Sequence, residues 1–324
     1  MRRNQTKRLM ALLLSLIMLV GAVVPIAAAD DSSDKKNSMA TTTLKEISDS
    51  LNAISYAEYR ERYADVARGR QVVSVDVTKY AAETTDAAVE IRQNVTDDFG
   101  NTEAVAVYIG DGGKITWPVN VPEAGMYAVE VTYSSESPKT NSIERVFYIN
   151  DKVPFAEARY MQLTKYWVHE YAENGRFQYD GIGNELRPST KVLRKWATMP
   201  FVDSNTYYAT PFEFYFEKGE NTIALEGVRE DVVISEIKLY PYEDLPTYEE
   251  LLAEYEKKGY TEGTDVIHLA AETPTAVSDY TIYPVYDRTS AITEPQHATL
   301  IYRNTIGAEK WQTMGQWIEY EFEV

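Results

Sequence analysis

Between residues 71 and 243, apolar side chains recur at every second position in one short run after another. A β-strand points successive side chains to opposite faces, so this alternation predicts strands with one face in a core. Turn sequences such as Gly110-Asp-Gly-Gly113 and Pro122-Glu-Ala-Gly125 separate the runs. Residues 71–243 are therefore predicted to form a mostly β, antiparallel sandwich of the jelly-roll type. The clearest runs are Val73, Val75 and Val77; Ile115, Trp117, Val119 and Val121; Tyr127, Val129, Val131 and Tyr133; and Phe212, Phe214 and Phe216.

Helices are predicted on both sides of this sandwich. Ser55 and Glu58 have the spacing of a capping box at a helix start, and Thr247 and Glu250 repeat it. We therefore assign residues 44–70 to a helical segment. Residues 244–263 are predicted to be a linker helix, which Gly259 would end.

The two helices belong to an internal repeat. The string Ala81-Ala-Glu-Thr84 recurs as Ala270-Ala-Glu-Thr273, and the alternation of residues 115–121 recurs at 318–324. The offsets are about 190 to 200 residues and keep the same order along the chain. Residues 264–324 are accordingly predicted to be a truncated second sandwich domain, whose partner strands would follow Val324.

The amino terminus has the layout of a secretory signal peptide. Four basic residues precede an uncharged apolar run, and Ala27–Ala29 supply small residues for cleavage, which predicts a signal peptide over residues 1–29. An uncleaved membrane anchor is the alternative. Polar residues 30–43 are predicted to be a flexible spacer. The protein is expected outside the cell or at its surface, with any membrane association made through that anchor.

Charge and cysteine content narrow the classes of partner. The chain has no cysteine, which leaves no disulfide and no thiol for lipid attachment and favours bacterial export. Its formal net charge is −18, and loss of a leader whose only charged residues are basic would make it more negative. Nucleic acid is therefore not expected as a partner, whereas the net charge neither attracts nor repels a neutral sugar.

Two resemblances to known families follow from particular strings. The segment Trp117–Val131 resembles the strand-turn-strand of galactose-binding-like modules, a fold shared by many carbohydrate-binding modules. Other strings resemble the amino-terminal region of large bacterial extracellular solute-binding proteins of sugar ABC transporters, a similarity that covers almost everything after Ser55. It implies binding of an oligo- or polysaccharide beside a solute-binding domain and an ABC permease. That domain lies outside these 324 residues, and the lipidation cysteine of such leaders is missing. The strings are 142–145, 154–160, 184–188, 283–288 and 304–307.

Residues suited to catalysis are few. His169, His268 and His297 lie far apart in the sequence and are the only histidines, so no zinc-site or nucleophile motif is formed. Glu213 and Glu217 alternate with phenylalanines, as outward polar residues of a strand do. We therefore predict that the region is not an enzyme.

The segment 156–197 interrupts the predicted strands with aromatic and basic residues. Aromatic faces cover the apolar face of a pyranose, and arginine can bond sugar hydroxyls in directed pairs. The alternative is that this segment packs its aromatics onto the sandwich as a satellite core. The candidate ligand-binding residues, including two that follow the segment, are Tyr160, Trp167, Arg187, Trp196, Tyr207 and Tyr208.

The galactose-binding-like resemblance also implies a structural calcium near the first strand, for which Asp76, Glu83 and Glu272 are candidates. No other cofactor is expected. The leading hypothesis is a non-catalytic extracellular carbohydrate-binding region. A structural spacer or protein-docking module is the alternative, and an accessory region of a glycan-active enzyme is the third. Rings that stack on sugars must be open to solvent, whereas rings of a spacer would be buried.

Overall fold

The computed structural model describes residues 53–83, 89–172, 175–261, 263 and 266–322. The predicted signal peptide, the predicted spacer and the first part of the predicted helical segment lie outside these residues. No helix in the described ranges is long and apolar enough to cross a membrane.

In the described ranges, eighteen short strands make up most of the regular structure. In chain order they are β1 Val73–Val75, β2 Ala81–Glu83, β3 Val89–Thr96, β4 Thr102–Ile109, β5 Lys114–Val121, β6 Gly125–Ser134, β7 Ile143–Ile149, β8 Met161–Leu163, β9 Tyr166–Glu170, β10 Ser189–Leu193, β11 Ala197–Pro200, β12 Glu213–Phe216, β13 Gly219–Arg229, β14 Val232–Tyr240, β15 Ala276–Val277, β16 Pro284–Val285, β17 Thr305–Ile306 and β18 Ile318–Glu319.

Two antiparallel sheets form the sandwich. The first has the order β11-β6-β14-β4-β3, with β12 also on the outer edge of β6 and β1 also beside β14. The second has the order β2-β5-β13-β7-β8. This arrangement confirms the predicted mostly β, antiparallel sandwich. The predicted alternation provides its core, because inward residues from both sheets pack as one cluster.

Aromatic side chains dominate the space between the sheets. Phe214 of β12 packs edge-on against Phe147 of β7, with ring centroids 4.8 Å apart, and stacks on Phe155 at 5.3 Å. Trp117 of β5 is fully buried, and its indole N–H donates to the carbonyl of Val77 at 3.0 Å. The ring thereby buries a large apolar surface without leaving its polar atom unpaired.

Helix α1 (Tyr56–Arg62) closes one edge of the sandwich. Ser55 and Glu58 form the predicted capping box. The hydroxyl of Tyr56 accepts the backbone N–H of Glu213 at 2.9 Å, and that of Tyr59 accepts the N–H of Tyr215 at 2.8 Å. The helix therefore satisfies the free edge of β12 with side-chain oxygens.

The segment 156–197 is more regular than its sequence indicates, because it contains β8, β9 and β10. β9 and β10 pair in register from Tyr166↔Leu193 to Glu170↔Ser189. β15 and β18 extend this pair into a four-stranded sheet with the order β10-β9-β15-β18.

The carboxy-terminal residues lie on this hairpin. Val277 pairs with Trp167, and Val277, Ile282 and Ile306 form a small core with the Trp167 ring. The repeat predicts a longer strand over 318–324, but in the described part only Ile318–Glu319 is a strand. Helix α2 (Tyr248–Lys257) lies within the predicted linker and has the predicted capping box at Thr247.

Candidate functional site

A change of partner along β14 creates a cleft on the outer face of the first sheet. β14 pairs with β4 at Val232–Ile234 and with β1 at Ile237–Leu239. Between these two stretches the register with β6 shifts at Ser235, which is a β-bulge. Bulges bend a strand and redirect neighbouring side chains, and they are common beside binding sites. β4 therefore leaves the sheet at this point.

The β3–β4 hairpin spans the sheet from one edge to the other. It starts beside β14, and its tip bonds to the residues that precede β11 on the opposite side. The guanidinium of Arg194 lies 2.7 Å from the carboxylate of Asp98, and the amide of Asp98 donates to the Arg194 carbonyl at 2.9 Å. The amide of Trp196 donates to Asp97 at 3.1 Å. The hairpin is thus held at its base by pairing with β14 and at its tip by bonds to Arg194 and Trp196.

The cleft between β1, the departing β4 and the sheet has a volume of about 470 Å³. This is within the range of pockets that hold small ligands. Its lining combines valines with residues that carry hydroxyls or carboxylates, and none of the lining residues is aromatic or basic. The lining residues are Ser74, Val75, Asp76, Val77 and Thr78 from β1 and its following turn, Glu103 and Val105 from β4, Thr132 from β6, and Ser235 and Glu236 from β14.

Local contacts hold two of the three carboxylates in the cleft. Asp76 accepts the hydroxyl of Thr78 at 2.6 Å and its backbone N–H at 3.1 Å, and Nζ of Lys79 lies 3.2 Å away. These contacts, the Thr78 hydroxyl first, keep the pKa of Asp76 below its ordinary value. Glu236 pairs with Lys238 at 2.6 Å. The Asp76 carboxylate is therefore set to accept hydrogen bonds rather than to donate a proton.

Of the predicted ligand-binding residues, Trp196 contacts the β3–β4 hairpin, which contributes Glu103 and Val105 to the cleft lining. Trp196 is half-buried, and its indole N–H donates to the carbonyl of Val95 in β3 at 3.2 Å. The ring therefore supports the hairpin that forms one wall. Thr198, two residues later, donates to or accepts from the hydroxyl of Thr132 in the cleft floor at 2.8 Å.

Trp167 and Arg187 lie elsewhere, between the β9–β10 hairpin and the carboxy-terminal residues. Trp167 is 4% exposed, so its ring has no open face for a ligand. The Arg187 guanidinium lies 3.4 Å from the ring centroid of Tyr283, a cation–π contact. In this region the satellite-core interpretation describes the packing.

The three predicted tyrosines occupy two further places. Tyr208 is half-buried beside α1, with its ring centroid 4.9 Å from that of Tyr56. Tyr207 next to it and Tyr160 are exposed. Asp203 orders the loop, because its carboxylate accepts the amide of Tyr207 at 2.7 Å. The six predicted ligand-binding residues thus divide among separate surfaces instead of lining one.

Two of the three residues proposed for calcium make other contacts. Asp76 is engaged by Thr78 and Lys79, and the carbonyl of Glu272 accepts the hydroxyl of Tyr171 at 3.4 Å. The side chain of Glu83 lies outside the described residues. Within the described ranges, no three His, Cys, Asp or Glu side chains are arranged to hold a metal ion. The structural calcium implied by the resemblance therefore stays a prediction.

Sequence reasoning missed Thr132, Glu103, Ser235 and Glu236. One signal was present: in Ile234-Ser-Glu-Ile237, two consecutive polar residues interrupt an otherwise alternating strand. Such an interruption is typical of a bulge, at which adjacent side chains can share a face.

No family model and no curated protein matches the chain. Among solved structures, a native family 35 carbohydrate binding module from Clostridium thermocellum is 14% identical over 53% of this chain and 100% of its own, with a TM-score of 0.31. A carbohydrate binding module of Cellvibrio mixtus lichenase 5A, in complex with cellotriose, is 13% identical over 52% of this chain and 97% of its own, with a TM-score of 0.25. An exo-β-1,3-galactanase from Phanerochaete chrysosporium is 10% identical, and this chain covers 29% of it, with a TM-score of 0.29. Similarity at this level assigns no ligand to this chain.

Proposed function

We propose that the chain is a non-catalytic, extracellular carbohydrate-binding region and that the cleft on the first sheet holds the sugar. The observation that carries this proposal is the lining of the cleft. Ser74, Thr78 and Thr132, which carry hydroxyls, line the cleft together with the carboxylate-bearing Glu103. Sugar hydroxyls both donate and accept, so such a mixed surface can satisfy several of them, and bonds to carboxylates are the strong ones.

The charge of the cleft favours a neutral sugar over an acidic one. Its ionisable lining residues are Asp76, Glu103 and Glu236, within a chain of formal charge −18. A uronate or sulfated glycan is disfavoured by the net negative charge of the chain, although Lys79 and Lys238 pair with two of these carboxylates. The absence of an aromatic lining residue favours a short saccharide bound by hydrogen bonds over a long chain bound by stacking.

The environment of Asp76 supports a binding role for this residue rather than a role as a general acid. Glycoside hydrolysis requires a carboxylic acid that keeps its proton near neutral pH, and the pKa of Asp76 is shifted in the opposite direction. Glu213 lies outside the cleft and is bound to Arg68 at 2.7 Å. We extend the proposal, on the strings that resemble sugar-transport proteins, to association with an ABC-type solute-binding protein.

A structural spacer is the second candidate, and the burial of Trp167 favours it. Five candidate site residues lie away from the cleft, and two of them pack as core or cation–π partners. A spacer would use the same sandwich for rigidity alone. The two functions differ in whether the cleft binds a ligand.

A glycan array followed by calorimetry on the full chain tests the proposal. We expect binding of a neutral oligosaccharide, weakened about tenfold to a hundredfold by Glu103→Gln, because a hydrogen bond to a charged group contributes about 1.5–3 kcal/mol. Glu220→Gln on the exposed face of β13 is the matched control and should bind as the wild type does. Binding that is indifferent to Glu103→Gln, or no binding on the array, would favour the spacer.

A further inference from the structure

The two helices of the internal repeat are matched in sequence but not in their surroundings. Tyr56, Tyr59 and Tyr63 of the first copy correspond to Tyr248, Leu251 and Tyr255 of the second. Both helices begin with the same capping box. Tyr56 is 1% exposed, whereas Tyr248 is 72% exposed, and α2 has no buried residue. The apolar face of α2 is therefore not covered by any of the residues that the structure describes.

The first copy shows which kind of surface covers such a face. The Tyr56 ring packs against Phe212 at 4.6 Å and Phe155 at 4.8 Å between ring centroids. Its hydroxyl accepts an N–H from the edge of β12, and Tyr63 stacks on Tyr215 at 4.6 Å. The cover is thus a sandwich edge that offers aromatic side chains and free backbone N–H groups.

A second element of the repeat is uncovered in the same way. Phe322 corresponds to Val119 and Tyr320 to Trp117, both of which face the core between the two sheets. Phe322 is 54% exposed, and Tyr320 is half-buried. In the first copy, helix and strand are covered by layers of one β-sandwich. We infer that the equivalent side chains of the second copy, such as Tyr248 and Phe322, also pack against a β-sandwich.

We propose that the face of α2 formed by Tyr248, Leu251, Leu252 and Tyr255 docks on the edge of a partner β-sandwich domain built like the β12 edge. That edge presents a free backbone N–H to the hydroxyl of Tyr248 and aromatic or aliphatic side chains to Leu251 and Tyr255. The polar side of α2 carries Glu249, Glu250, Glu254 and Glu256 against Lys257 and Lys258, so the surrounding partner surface is neutral or basic.

The β12 edge of this chain can be used to test whether the apolar face of α2 fits a sandwich edge of this kind. In the full chain, residues 55–63 are replaced by the sequence of 247–255, so that the face of α2 meets β12. We expect cooperative unfolding a few degrees below the wild type, because Leu251 cannot replace the hydroxyl bond of Tyr59 and a lost hydrogen bond costs about 1 kcal/mol. The matched control is the same chimera with Tyr248→Ser and Leu251→Ser, which should melt at least 10 °C lower.

Equal melting temperatures for the two chimeras would overturn the proposal. A peptide of residues 246–260 supplies a second measurement that does not depend on the chimera folding. It should bind and stabilise the full chain carrying Tyr56→Ala, in which the β12 edge is partly opened, whereas a scrambled peptide should not. Failure of the native peptide would count against the proposal. So would a concentration-dependent dimer of the wild-type chain that Tyr248→Ser abolishes, because a second copy would then cover α2.

Discussion

Nζ of Lys165 lies 3.0 Å from Oε2 of Glu230, and both side chains are almost fully buried, at 2% and 1% exposure. Nζ also donates to the carbonyl of Lys139 at 3.0 Å, and the amide of Asn141 donates to Oε1 of Glu230 at 3.1 Å. The ion pair therefore joins the loop after β6, the start of β9 and the turn between β13 and β14.

Replacing one member of this pair should be more harmful than replacing both. Lys165→Met leaves a buried carboxylate without its cation, and we expect a loss of about 3–5 kcal/mol in the free energy of unfolding. The double variant Lys165→Met with Glu230→Gln should recover part of this loss, because the buried carboxylate that lacks its cation is then also removed. Urea denaturation at pH 7 measures both variants. A loss below 1 kcal/mol for the single variant would contradict the structural role assigned to the pair.

Acid should loosen the contact between the β9–β10 hairpin and the carboxy-terminal residues through His169. Burial, with the charge of Arg187 second, lowers the pKa of this buried histidine to about 4. The unfolded chain takes up the proton near pH 6.5, and the folded chain takes it up only near pH 4. Stability from the neutral ring is thus complete above pH 6.5 and is lost as the pH falls towards 4, by about 3 kcal/mol.

Comparison with His169→Gln isolates this effect, since glutamine does not titrate. As the pH is lowered from 7 to 4, the free energy of unfolding of the wild type should fall relative to that of the variant. Urea denaturation measures both. A difference that stays constant over this range would show that folding does not change the pKa of His169. NMR titration of the imidazole protons gives the folded pKa directly.

The carboxy-terminal residues should detach when the Trp167 ring is removed. The ring packs against Val277, Ile282 and Ile306, and truncating a buried tryptophan costs about 3–5 kcal/mol. We expect Trp167→Ala to increase amide exchange across residues 276–319 and to leave the exchange of β13 and β14 unchanged. Tyr160→Ala is the control, because its side chain is exposed and its loss should change stability by less than about 0.5 kcal/mol. Uniform destabilisation of the sandwich would contradict this picture.

Local signals in the sequence predicted the sandwich well, because alternation and capping depend on neighbouring residues. The core positions of Trp117 and Phe214 and the start of α1 at Ser55 follow from spacing alone. The cleft could not be predicted in this way. It depends on β14 changing partners at Ser235 and on a hairpin whose tip meets Arg194, about a hundred residues away in the chain. Aromatic composition likewise could not tell that Trp167 is core whereas Trp196 contacts the β3–β4 hairpin.

Trp196 links the hairpin to the proposed sugar site, and its removal should affect binding more than stability. The ring bonds to Val95, and the neighbouring Arg194 bonds to Asp98, so Trp196→Ala frees one side of the hairpin tip. The half-buried ring is outside the main core, and the exposed ion pair contributes at most about 1 kcal/mol. We therefore expect a change in unfolding free energy of about 1–2 kcal/mol, faster amide exchange over residues 95–105, and sugar binding at least tenfold weaker as the wall of the cleft moves.

The matched control is Trp311→Ala, which replaces an exposed tryptophan of the carboxy-terminal residues and should leave all three quantities unchanged. Faster exchange with unaltered affinity would place the sugar outside the cleft, and unaltered exchange would show that Trp196 does not hold the hairpin.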